Sequence, residues 1–214
     1  GLTRGGRPGP PSTRIVLPLV ELPLPPTGVE ATFDEKSITV SWTAPVPPVG
    51  QAAPGFNVYR EGTATPLNPS PVSTTSFVRD GVSFGTEECF TVRTAVRAAN
   101  VTIKSVPSPP VCVTPVDIFP PAAPTGLSAV GTEGAINLIW ERNTDPDLAG
   151  YLVLRGEAPG DTLQAITPTP IQETTYRDTS VTPGVRYVYA IVAVDRATPP
   201  NMSAQSNRVE ESAR

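Results

Sequence analysis

The sequence predicts an all-β protein: two tandem β-sandwiches preceded by an extended arm. Three observations carry this. The first is composition. Of 214 residues, 28 are Pro and 17 Gly, and charged residues make up only 17%. That mix is poor in helix builders and rich in the Pro, Thr, Ser and Val that suit strands and turns. The second is short period-2 alternation of apolar and polar residues along the chain. The third is an internal repeat. Pro26-Thr27-Gly28-Val29 returns as Pro124-Thr125-Gly126-Leu127, Trp42 as Trp140 and Arg79-Asp80 as Arg177-Asp178, all displaced by 98 positions. Two copies of one domain account for almost everything after residue 25.

The elements follow in order. Residues 1–25 belong to neither copy and form the arm. Its first half is rich in Gly, Pro and Arg. Its second half, Ile15 to Leu24, has seven large aliphatics in ten residues: Ile15, Val16, Leu17, Leu19, Val20, Leu22 and Leu24. Pro18 and Pro23 forbid a helix and a central strand, but allow an edge strand or polyproline II. The arm is expected to lie extended on a sheet edge with Val16, Val20, Leu22 and Leu24 buried. That edge belongs either to its own first sandwich or to a neighbouring subunit. The first domain is set at 26–117. Ile38, Val40 and Trp42 form a half-buried strand, Phe56 and Val58 the next, Phe77 another, and Val111 and Val113 the last. The second domain is set at 118–214. There Ile136, Leu138 and Trp140, then Tyr151 and Val153, then Tyr176, then Tyr187, Tyr189, Ile191 and Ala193, and finally Val209, repeat the series. Trp42, Trp140 and Tyr187 are predicted core residues.

These residues resemble tandem fibronectin type III domains, an immunoglobulin-like architecture. The resemblance rests on the opening Pro-Thr-Gly-Val/Leu, the Trp of the second strand, Gly150-Tyr151-Leu152-Val153-Leu154-Arg155, and Pro183-Gly184-Val185-Arg186-Tyr187. The run Asp145 to Tyr151 is similar to bacterial, exported members. The resemblance implies a seven-stranded sandwich and a binding or spacing role. It places Tyr187 at the tyrosine corner, with Cys89 at that position in the first copy. It also places Cys89 and Cys112 on antiparallel neighbouring strands, within reach of a disulfide. The alternative is a pair of reduced core thiols.

Several chemistries are excluded outright. There is no His in the sequence, so His-based acid–base catalysis, Ser-His-Asp or Cys-His nucleophiles and His metal sites are impossible. The balance is 16 basic to 20 acidic residues, with no persistent basic cluster, so nucleic acid is not an expected partner. No apolar run approaches the length of a membrane span. Asp145, Asp147 and Asp195, with Asn143, are the best oxygen cluster for Ca²⁺. The stronger reading is ordinary turn residues, and the expectation is no metal and no cofactor. The loop Thr43 to Pro54 is apolar and Pro-rich, either a lid or a protein-binding surface. Asn100-Val101-Thr102 and Asn201-Met202-Ser203 match the N-glycosylation pattern.

The chain opens at Gly1 without an initiator Met and reads as a processed product. The expected function is that of a non-catalytic extracellular structural or adhesive protein, with periplasmic location as a further option. Its expected partner is protein, met through the arm: either a second copy, in a homo-oligomer or filament, or a surface partner. The alternative is a lipid-anchored or secreted spacer module of a larger receptor or glycan-active protein.

Overall fold

A computed structural model describes residues 21–49, 52–98, 101–160 and 162–214. The chain divides into two compact units, with the break between Pro115 and Val116. Among the described residues every regular element is a strand.

In the first unit β1 (Thr27–Phe33), β2 (Ser37–Thr43) and β4 (Ser76–Asp80) form one antiparallel sheet in the order β1-β2-β4. The other sheet is built on β5 (Glu88–Ala98). It pairs β3 (Gly55–Arg60) on one side, and β6 (Val101–Lys104) then β7 (Val111–Val113) on the other. The second unit repeats this plan. Here β8 (Ser128–Thr132), β9 (Ala135–Ile139) and β12 (Thr175–Asp178) make the three-stranded sheet. The four-stranded sheet runs β11-β10-β13-β14, from Gln164–Ala165, Leu148–Glu157, Arg186–Asp195 and Val209–Ser212.

The alternation read from the sequence sets the inward faces. Ile38, Val40 and Trp42 of β2 meet Phe56, Val58, Phe90 and Val92 in one core. Ile136, Leu138 and Trp140 meet Tyr151, Val153, Tyr189 and Ile191 in the other. Each Trp packs on an aromatic of the next strand, with ring centroids 5.4 Å apart for Trp42–Phe56 and 5.5 Å for Trp140–Tyr151. The repeated Pro-Thr-Gly has a backbone cause. Gly28 and Gly126 stand at φ +57° and +69°, a region that disfavours side chains, and in β1 the register skips at this point.

The edge beside β5 uses a device not apparent from strand patterning. The amides of Ser105 and Ser108 bond the carbonyls of Thr94 and Val92, both at 2.9 Å. Their hydroxyls accept the Thr94 and Val92 amides, both at 3.0 Å. Ser203 and Ser206 do the same for Ala193 and Ile191. The ladder therefore continues through serines three residues apart, and it does so with Pro107, Pro109 and Pro110 in the segment. Proline lacks the amide a regular strand needs.

Candidate functional site

The buried acids are the natural place to look for chemistry, because a carboxylate is rarely buried without a purpose. Among the described residues they are Glu88, Asp178 and Asp195.

Glu88 begins β5. Its carboxylate takes Arg60 of β3 at 2.7 Å and also pairs with Arg79 of β4, so one acid ties strands from both sheets. The strand register overturns the expected place of Cys89. Phe90 pairs with Val111 and Tyr189 with Val209. Glu88 therefore occupies the position of Tyr187, and Cys89 that of Val188. The turn between Asp80 and Gly85 is one residue shorter than the one between Asp178 and Gly184, which shifts the alignment. Tyr187 itself is buried, and its hydroxyl oxygen accepts the Thr182 amide at 3.1 Å.

Asp178, fully buried at the end of β12, accepts Arg155 at 2.7 Å, the Tyr189 hydroxyl at 2.9 Å and the Ser180 amide at 2.9 Å. Burial pushes its carboxyl up, but the Arg155, Ser180 and Tyr189 hydrogen bonds outweigh that and hold it below the usual range. Burial, then the Asp178 charge, push the Tyr189 phenol well above its ordinary value.

Asp195 ends β13. Its oxygens accept the amides of Ala197 and Asn201 at 3.0 and 2.8 Å, and the Asn201 side chain at 2.8 Å. The expected grouping of Asp145, Asp147 and Asp195 is regrouped by the structure. The carboxylates that converge are Asp117, Asp147 and Asp195. Asp145 instead accepts the Ala122 amide and the Asn143 side chain, because it folds back on the chain leading into β8. A hollow of about 450 Å³ beside it is lined by Arg142, Asn143, Asp145, Leu148 and Arg196. Asn201 also bonds the Asp117 carbonyl. Its side chain thus joins the Asp117 segment to Asp195. Asn100 lies outside the described residues.

Cys89 and Cys112 are directly paired across β5 and β7 and joined by a disulfide. Trp42 and Trp140 are buried. Of the arm, Ile15, Val16, Leu17, Leu19 and Val20 lie outside the described residues. Leu22 and Leu24 do not show the expected burial: they are 63% and 68% exposed. The segment is held by its backbone, with the Thr94 hydroxyl donating to the Leu24 carbonyl at 2.7 Å. The alternating Pro23 and Pro25 are the half-buried residues, and Pro26 is buried. The loop after β2 leaves Val46 88% exposed and Val49 fully exposed.

No family model matches the chain. It is 32% identical over 196 residues to exoglucanase B of Cellulomonas fimi, which spans 87% of this chain and 16% of that protein. It is 32% identical over 143 residues to an amylopullulanase of Thermoanaerobacter thermohydrosulfuricus, 65% of this chain and 9% of that one. The chain therefore spans less than a fifth of either curated relative. Among solved structures, a two-domain fibronectin type III segment of chicken tenascin aligns at 19% identity and TM-score 0.48, covering 88% of this chain and 99% of that one. A Fn3-like protein from Clostridium thermocellum aligns at 31% identity and TM-score 0.36, covering 43% and 92%. With three strands facing four in each unit, and the corner tyrosine in the second, both units are fibronectin type III sandwiches.

Proposed function

We propose that the chain is a non-catalytic, exported module that spaces or accompanies the polysaccharide-acting part of a larger protein. The observation that carries this is the use of the buried acids. Glu88, Asp178 and Asp195 are each bound by two or more donors that hold strands or loops together. The Asp178 carboxyl, held below its usual range by Arg155, Ser180 and Tyr189, stays ionised and cannot serve as a proton donor near neutral pH. Function on this fold rests on grafted sites, so the partner chemistry is inferred from the relatives, both named for action on glucans. The disulfide fits an oxidising compartment.

The purified chain, incubated with cellulose, starch and pullulan, should release no reducing ends. Release that survives repurification and disappears in a substituted chain would overturn the non-catalytic reading. Exhaustive thiol labelling of native material should leave Cys89 and Cys112 unmodified. Two freely labelled thiols would overturn the exported one.

A further inference from the structure

The exposed aliphatics of the first unit are not scattered. Leu22, Leu24, Val46, Val49, Val101 and Val106 all lie at one end, the end where β1 begins, and only Val78 lies elsewhere among the described residues. Pairing places them there. Thr27 pairs with Thr43 just before the 44–54 loop, and Gly55 after it pairs with Ala95. Ser105 bonds Thr94, and Thr94 holds Leu24. Val101 closes the β5–β6 hairpin at Ala98. A clustered apolar surface of this kind marks a docking face.

The second unit shows what sits at that end. Its lead-in segment is clasped there: Asn143 donates to the Ala122 carbonyl, the Ala122 amide to Asp145, and Asn201 to the Asp117 carbonyl. Leu24 precedes its Pro-Thr-Gly by the same count as Ala122, and its carbonyl is likewise held. The two ends differ in chemistry, and their lead-ins differ with them. The polar end, with Asn143, Asp145 and Asn201, receives a segment containing Asp117. The apolar end, with Val46, Val49 and Val101, is preceded by Ile15, Val16, Leu17, Leu19 and Val20.

We infer that residues 15–20 of the chain dock in cis on the Val46–Val49 end of their own first unit. Six residues reach about 20 Å when extended, and they run directly into the segment whose Leu24 carbonyl is held at that end by Thr94. The occupant is thus this chain's own arm, not a second copy.

The test is limited proteolysis of the full chain by thermolysin, which cuts before large aliphatics. The chain is compared with a V46D/V49D variant whose tryptophan emission verifies both cores. Cleavage within 15–20 should be at least about tenfold faster in the variant, as expected when a docked segment is released, and independent of protein concentration. Methyl NOEs from Leu17, Leu19 or Val20 to Val46 or Val49 should be present at low concentration. Equal cleavage rates without such NOEs overturn the inference. So does protection that grows with concentration alongside a rising mass in light scattering, because the occupant is then a second copy.

Discussion

Glu88 of the first sandwich stands where Tyr187 stands in the second. Both positions begin the long central strand and both are buried. They solve the same problem with different chemistry. The tyrosine ties its own crossover through the Thr182 amide. The glutamate recruits Arg60 and Arg79 from the two sheets. A buried charge is tolerable only when paired, and removing one partner leaves the other uncompensated.

Glu88→Ala should therefore destabilise the first unit by about 3 kcal/mol, at the lower end for a broken buried pair because Arg60 reaches solvent. Urea denaturation followed at Trp42, with Trp140 replaced by Phe in both chains, would measure it. A loss below about 0.5 kcal/mol, the size of an ordinary surface substitution, would show the pairs to be dispensable.

Asp178 makes the second unit sensitive to acid. Its carboxyl is held below its unfolded value, so the folded state favours the ionised form. The stability this contributes is present above about pH 4 and is lost as pH falls through the lower, folded value. The gap in Tm between wild type and Asp178→Asn should be widest at neutral pH and narrow below about pH 4. A gap unchanged from pH 7 to pH 2 would mean that Asp178 does not titrate with folding.

The disulfide is confined to one copy. Where Cys89 faces Cys112, the second unit places Val188 opposite Glu210. The crosslink spans 23 positions, and the chain-entropy relation gives about 3 kcal/mol for a loop of that length. Cys89→Ser/Cys112→Ser should lower the first unit's stability by that amount and leave the second unit unchanged. Equal loss in both units would refute a local role.

The two sandwiches were legible because their strands alternate cleanly and a bulky Trp marks the second strand of each copy. The Glu88 clamp was not, because it depends on a one-residue difference in the turn before Gly85, and a register slip of one changes which side chain faces inward. The serine ladder left a signal in Ser105-x-x-Ser108 and Ser203-x-x-Ser206, at the same 98-residue offset, although hydroxyls in Pro-rich segments do not resemble a strand. Asp117 was missed as a neighbour of Asp195 because its position in the connector hides its place in the second unit.

The tryptophans test the core directly. Trp140 is 3% exposed and packs on Tyr151, so Trp140→Ala should cost about 3–5 kcal/mol. Its indole N–H is buried without a hydrogen-bond partner, as is that of Trp42. Trp140→Phe removes that unpaired donor while keeping an aromatic against Tyr151, and should cost clearly less than the alanine change. Equal losses for the two variants would show that the indole makes a specific contact that phenylalanine cannot replace.

Asp195 sits among the carboxylates that converge in the second unit, and a divalent cation is the obvious suspicion. Calcium favours six to eight oxygen ligands, typically carboxylates with free lone pairs. Here Asp195 already accepts the Ala197 and Asn201 amides and the Asn201 side chain, so binding a cation would have to compete with three hydrogen bonds that close the loop after β13. The cluster should therefore act as a loop lock. Millimolar calcium should leave the Tm of the second unit unchanged, and Asn201→Ala should lower its stability by about 1–3 kcal/mol through the lost side-chain hydrogen bond to the buried Asp195 carboxylate. A calcium-dependent rise in Tm that Asp147→Ala abolishes would show that the acids hold a metal and not the loop alone.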